Sequence, residues 1–373
     1  MPFAPLASVK QRVQLGQPLP FGVRDADGTL LLARGHVVDN QPQLEALFAR
    51  GALVDLTELL DAQTLARQAP REQLPRLWGE AIRRLGTALE SGTSASFAAA
   101  LDDAGGPVAA LVARDPDLAI FHVLRQSGND DVAYGVKRSL QTAITTLLVA
   151  RRLGWEDDDS TRGFKVALTM NLSMLELQGQ LARQSAPPTP QQREELQTHP
   201  MRSLRLLEQA GVADTLWLEA VLQHHEVEDG SGYPSGRSDV CDLASLVRRA
   251  DMYTSKLSSR STREALGADL AGRQMFLQDP GHPMTAALVK EFGIYPPGCH
   301  VRLQSGELAI VVARGGTIMT PVVACLTDPI GRTLSQPERV DTAARGRGVA
   351  AVESLGGSRR LPPLERLMAA LVS

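Results

Sequence analysis

The sequence predicts a mainly α protein, a helical bundle flanked by small β-rich units at its two ends. Three observations carry that expectation. Residues 94–292 form a succession of helix-length amphipathic segments with few strand-like runs. Short alternating stretches around turn residues precede them, and β-branched runs separated by glycine pairs follow them. At 373 residues the chain can bury a substantial core in two or three folding units.

In chain order, residues 1–55 read as a small β-rich unit. Residues 19–23 and 30–33 are strand-like around the turn Asp25-Ala26-Asp27-Gly28-Thr29, and residues 41–50 read as a helix closed by Gly51. Residues 56–93 read as a helical connector broken by Pro70 and Pro75, with Trp78, Ile82 and Leu85 on one face. The helical domain spans residues 94–293. In it, residues 139–153 make a helix closed by Gly154, residues 155–160 an acidic loop, and residues 164–181 the next, apolar helix. Ala186-Pro187-Pro188-Thr189-Pro190 is a prolyl linker in which Thr189 caps a helix starting at Pro190. Residues 294–345 read as an antiparallel appendage with strands at 300–303, 309–313 and 321–326. Residues 346–373 read as a tail that contains Gly356-Gly357 and Pro362-Pro363 and ends in a short amphipathic helix.

Composition excludes several function classes. With 39 Lys plus Arg against 42 Asp plus Glu, the formal charge of -3 gives no electrostatic reason to bind a nucleic-acid polymer or a membrane surface. The three cysteines, Cys241, Cys299 and Cys325, are odd in number and far apart, which argues against a disulfide framework or a thiolate zinc site and fits a reducing cytoplasm. The first residues carry no basic region followed by an apolar run, and no segment approaches the roughly 18 to 20 apolar residues of a membrane span. The expectation is a soluble, unexported, cytoplasmic protein without membrane insertion.

The most informative stretch is HHEVEDGSGYP at residues 224–234. Neighbours on a regular helix point about 100° apart, so His224 and His225 can ligate one metal only where the helix ends and the backbone turns. Asp229, Gly230 and Gly232 supply that turn. His199, in Thr198-His199-Pro200, offers a third imidazole from another helix, and Asp251 a carboxylate from a further one. His36, His122, His282 and His300 lack supporting partners and read as ordinary surface or partly buried histidines. Trp78, Trp155, Trp217 and the cysteines read as packing residues.

On these residues the sequence resembles the HD-GYP phosphodiesterases, which hydrolyse the bacterial second messenger cyclic di-GMP. The resemblance covers roughly residues 94–297, and more weakly the N-terminal unit. It rests on HHExxDGxGYP at 224–234, on the stretch from Thr189-Pro190 to His199-Pro200, and on the helix that runs from Ala250-Asp251 to Arg260. The resemblance implies an HD-type bundle and, in active members, two metals, usually iron or manganese, that share a bridging aspartate and activate a water. One metal would take a first histidine, the histidine of an adjacent His-Asp pair, the bridging aspartate and a late aspartate. The other would take the bridging aspartate and three further histidines.

In this chain the first-histidine position falls on Arg138, and the HDxGK element on Met170-Asn171-Leu172-Ser173-Met174. The resemblance therefore implies lost catalytic positions at Arg138, Met170, Asn171 and Met174. A guanidinium repels a cation, a thioether replaces an imidazole, an amide replaces the bridging carboxylate, and the lysine for substrate phosphate is gone. His199, His224 and His225 remain, with Asp251 as the late aspartate. The expectation is no cofactor or one divalent metal per chain, iron, manganese or zinc. The histidines read either as ligands or as inherited, metal-free scaffold, and Asp251 either as a ligand or as a partner for Arg138.

The expected function is that of a catalytically impaired signalling protein, bacterial in type, in cyclic di-GMP pathways. It would bind the nucleotide, with Arg138 suited to phosphate and Arg260 a further residue for ligand or partner binding. Alternatively it would bind a GGDEF-type or other signalling protein through the loop of Asp229, Gly230, Gly232, an exposed Tyr233 and Pro234. Pure turn chemistry is the bland reading of that loop. One alternative is an active metal-dependent phosphodiesterase in which Glu176, Glu194 or Glu195 replaces the missing carboxylate. The other is a metal-free helical scaffold.

Overall fold

The computed structural model describes residues 3–55, 61–92, 94, 96–125, 131–353, 366–367 and 370–371, with the backbone alone at 131 and 132. The chain divides into two compact units, Met1–Ala69 and Pro70–Ser373. Among the described residues no helix is long and apolar enough to cross a membrane.

The first unit holds strands β1 (Phe3–Pro5), β2 (Val23–Arg24), β3 (Leu30–Leu32) and β4 (Leu53–Asp55), with helices α1 (Gln41–Ala49) and α2 (Ala62–Gln68). The strands form one antiparallel sheet in the order β1-β4-β2-β3. The turn read at residues 25–29 is present: Asp25 Oδ1 accepts the Asp27 and Thr29 amides, and Gly28 supplies a φ of 84°. The strand expected at 19–23 shortens to Val23–Arg24. Pro18 and Pro20, which have no N–H, flank Leu19, whose backbone pairs outside the sheet with Gly35 and His36 while Leu19 and Phe21 enter the core.

The second unit carries α3 (Leu74–Glu90), α4 (Phe97–Arg114), α5 (Pro116–Leu124), α6 (Asp131–Arg152), α7 (Asp157–Thr169) and α8 (Leu175–Arg183). After these come α9 (Pro190–Gln209), α10 (Thr215–Gln223), α11 (Asp242–Lys256), α12 (Ala268–Gln278) and α13 (Pro283–Phe292). The central helix is α6, which packs on α7, α8, α11 and α13. Its buried residues include Leu140, Ala143, Ile144, Leu147 and Ala150. Two of its buried threonines return their hydroxyls to the helix: Thr142 donates to Arg138 O and Thr145 to Gln141 O.

Three local readings are corrected. Pro75 begins α3, where its missing N–H is harmless, and does not break it. Asp157, Asp158 and Asp159 form the first turn of α7 and not a loop, because carboxylates are favoured at a helix N-terminus. The apolar helix at 164–181 is two helices: α7 stops at Thr169, a 3-10 turn occupies Leu172–Met174, and α8 follows. Ser173 fixes that break by donating its hydroxyl to His199 O and its amide to Ser203 Oγ.

A second sheet follows, with β5 (His300–Leu303), β6 (Leu308–Ala313), β7 (Val322–Thr327), β8 (Thr333–Asp341) and β9 (Val349–Glu353). It is antiparallel in the order β8-β7-β6-β5-β9. The two strands that sequence reading missed are its edges. β8 is mostly exposed and carries Pro337 and three charged residues, a composition that protects an open edge and hides the alternation. The Arg314 amide donates to Asp117 Oδ2 at 2.9 Å and its guanidinium pairs with Glu291, which ties this sheet to α5 and α13. The Gly356-Gly357 and Pro362-Pro363 features lie outside the described residues, as do residues 56–60 and 93 of the connector.

Candidate metal centre and adjoining cleft

Three imidazoles meet at one point. The nearest ring nitrogens of His199, His224 and His225 all lie within 4.8 Å of one another. Each arrives for a local reason. His199 sits inside α9 directly before Pro200, which has no N–H to give to Leu196 O. That carbonyl instead accepts from His199 Nδ1 at 2.6 Å. His224 is the residue that ends α10, where the last carbonyls have no helical partner, and its Nδ1 lies 2.7 Å from Val221 O. His225 follows as the chain turns, with its ring stacked on Tyr233 at a 4.5 Å centroid distance.

A carbonyl oxygen can only accept, so the Nδ1 of both His199 and His224 carries the proton and each neutral ring turns a bare lone pair outward at Nε2. Those two Nε2 atoms face each other 3.0 Å apart. Two lone pairs at that distance repel unless a cation lies against both. A proton is a poor candidate, because burial first, and then the neighbouring imidazole, hold both rings down to about 3. His225 is held equally low, by burial and then by His199. The set is thus prepared in the neutral form that metal ligation needs, and in His199 and His224 the second ring nitrogen is fixed on a carbonyl.

The loop after His225 is held by contacts that sequence reading did not find. Glu226 is buried, and its carboxylate accepts the Ser235 amide at 2.7 Å and the Arg237 amide at 3.2 Å. Glu228 accepts from Ser245 Oγ at 2.7 Å and from the buried Arg249 at 3.1 Å, and Arg249 also grips Asp279 at 2.7 Å. Burial would raise the Glu228 carboxyl, yet the Ser245 hydrogen bond and Arg249 bring it down to about 2. Asp229 is exposed and accepts the Ser231 amide and hydroxyl, while Gly230 takes a φ of 76°. Gly232 has no room for a side chain: a Cβ would stand 2.5 Å from Glu226 Cα, His225 O and Val227 N. Tyr233 donates its amide to His225 O, and its ring is half-buried against His225, which corrects the expectation of an exposed tyrosine. Pro234 is exposed after a cis peptide bond.

Beside the imidazoles lies an ion pair. Arg138 and Asp251 meet at 2.7 Å, with side chains 5% and 22% exposed. The same guanidinium nitrogen donates to Asp251 O at 3.2 Å, and the other reaches Ser258 Oγ at 3.4 Å. Thr142 Oγ1 lies 3.3 Å from Asp251 Oδ1. Met170 and Met174 are buried, and Asn171 is buried with Oδ1 lacking a hydrogen-bond partner among the described residues. Glu176 and Glu194 are exposed and Glu195 half-buried, and none joins the cluster, so the replacement carboxylates considered from sequence are not brought to it.

No family model matches the chain. Among curated proteins it is 28% identical over 222 residues to the cyclic di-GMP phosphodiesterase PA4108 of Pseudomonas aeruginosa, an alignment covering 58% of this chain and 53% of that protein. The chain thus spans about half the length of the curated relative it matches. This similarity supports the HD-GYP resemblance carried by the motifs. Among solved structures, the HD-GYP-type protein Bd1817 of Bdellovibrio bacteriovorus aligns at 16% identity with a TM-score of 0.49, over 78% of this chain and 98% of that one.

The residues fit one metal and not two. Three imidazoles whose nearest ring nitrogens lie within 4.8 Å of one another are a donor set for zinc or iron. Beside the imidazoles, the charge of Arg138 stands against the Asp251 carboxylate, which disfavours a second cation there. Next to this centre opens a cleft of about 390 Å³, a common size for a ligand site. Its lining includes His225, Tyr233, Asp251, Arg138 and Arg260. Arg260 is exposed and donates to Ser255 Oγ at 3.1 Å.

Proposed function

We propose that this chain is a cyclic di-GMP signalling protein that holds the nucleotide without hydrolysing it, over a centre with room for a single divalent metal. The observation that carries this reading is the Arg138–Asp251 ion pair at 2.7 Å beside the three imidazoles. A guanidinium is charged at every accessible pH and is never a ligand. With Asp251 Oδ1 answered by Arg138, a second cation there would meet a fixed positive charge.

A metal at His199, His224 and His225 would supply a Lewis acid that attracts a phosphodiester oxygen. The chain's own groups do the rest. Arg260 stands at the cleft wall to neutralise phosphate, and the Tyr233 ring, stacked on His225, shields the imidazoles from water. The half-buried Tyr233 favours the nucleotide reading over a protein docked on the loop, since the loop's one large side chain is spent internally.

The test is calorimetry with cyclic di-GMP on protein of measured metal content. Binding in the micromolar range with one metal equivalent or fewer is expected. Two tightly held equivalents, or no binding at high micromolar nucleotide, would overturn the reading.

A further inference from the structure

Two arginines stand beside the imidazoles, and their charges are met differently. Arg138 is spent on Asp251 at 2.7 Å. Arg248 lies three residues before Asp251 on α11, and so on the same face of the helix. It is half-buried, and among the described residues it has no hydrogen bond and no ion pair. The acids whose charge reaches it are Glu228, Asp279 and Asp229. Each is already engaged by another group: Arg249 grips Glu228 at 3.1 Å and Asp279 at 2.7 Å, and Asp229 accepts the Ser231 amide at 2.9 Å. A guanidinium partly withdrawn from water is normally paired, so an unpaired one calls for an anion from outside the protein.

The position of this cation points to the anion. Arg248 lines a second opening of about 270 Å³, together with His224, His225, Gly232, Tyr233 and Asp251. His225, Tyr233 and Asp251 are shared with the larger cleft, whose lining includes Arg260. The charge of Arg248 acts on His225, where it adds to burial and to His199, and on Asp229 in the loop, which puts the guanidinium on the imidazole side of α11. We propose that Arg248 is an anion-binding residue of this site, pairing with a phosphodiester oxygen of a ligand seated over His224 and His225. A ligand with two phosphates then meets an arginine at each opening, Arg248 at the smaller and Arg260 at the larger. The inference rests on the cyclic di-GMP reading above, and it adds a phosphate contact that the reading does not contain.

A fixed positive charge at this place favours an anion and opposes a cation at the same imidazoles, so one substitution should move two affinities in opposite directions. The experiment measures, on the full chain, cyclic di-GMP affinity by calorimetry at matched metal content and zinc affinity by competition with a chelating dye. Arg248→Gln is expected to weaken cyclic di-GMP about tenfold or more and to tighten zinc severalfold. Arg248→Lys, which keeps the charge, is expected to fall between wild type and Arg248→Gln in both affinities. Unchanged nucleotide affinity in Arg248→Gln, or a parallel loss of nucleotide and zinc affinity, would overturn this inference and leave the nucleotide reading standing. No binding of cyclic di-GMP by the wild type would overturn both.

Discussion

His199 donates Nδ1–H to Leu196 O only because Pro200 leaves that carbonyl free. Pro200→Ala should therefore restore the helical hydrogen bond and stabilise α9, yet weaken metal affinity about tenfold or more by releasing the His199 ring. A competition titration with a chelating dye checks the affinity, and a denaturation curve checks the opposite change in stability. Arg138→Met should destabilise the fold by about 3 kcal/mol, because it leaves Asp251 in a mostly enclosed site without its cation. Gly232→Ala should cost about 1–3 kcal/mol in urea denaturation and lower nucleotide affinity, since a Cβ cannot enter without moving the His225–Val227 backbone.

The sequence made α9 legible at its start: the Thr189 hydroxyl accepts the Gln192 amide and Gln192 Oε1 accepts the Thr189 amide, a reciprocal cap written within four residues. Thr189→Ala should cost about 1 kcal/mol and Thr189→Ser much less, by the same denaturation measurement. The histidine motif was legible for the same reason, since a helix end and its turn are local. The Arg138–Asp251 pair joins residues 113 positions apart and could be read only as an alternative. The close approach of Gly135 to Leu175, where a Cβ would stand 2.3 Å from the carbonyl oxygen, was not legible, because no periodicity announces it. Edge strand β8 was missed because charge and Pro337 replace the alternation that marks a half-buried strand.

Across the whole second unit, burial of neutral imidazoles sets the pH response. His122, against Trp78, and His300, on β5, are each lowered to about 4, by burial first and then by Arg125. The unfolded chain takes up a proton on each below about pH 6.5 while the folded chain does not. The stability they contribute is therefore complete above about pH 6.5 and is lost as pH falls toward 4. Between pH 7 and 5 each should remove about 2 kcal/mol, and a His122→Phe variant should show a correspondingly smaller drop in urea denaturation at the two pH values.

The same unit puts three imidazoles beside a carboxylate already paired with an arginine, the arrangement on which the proposed non-hydrolytic reading rests. The most direct measurement is to incubate the manganese- or iron-loaded protein with cyclic di-GMP and identify the nucleotide recovered from it by chromatography. Intact cyclic di-GMP, retained at up to one equivalent per chain, is the expected result. Steady accumulation of a linear dinucleotide or of GMP, abolished by His224→Ala, would contradict the account.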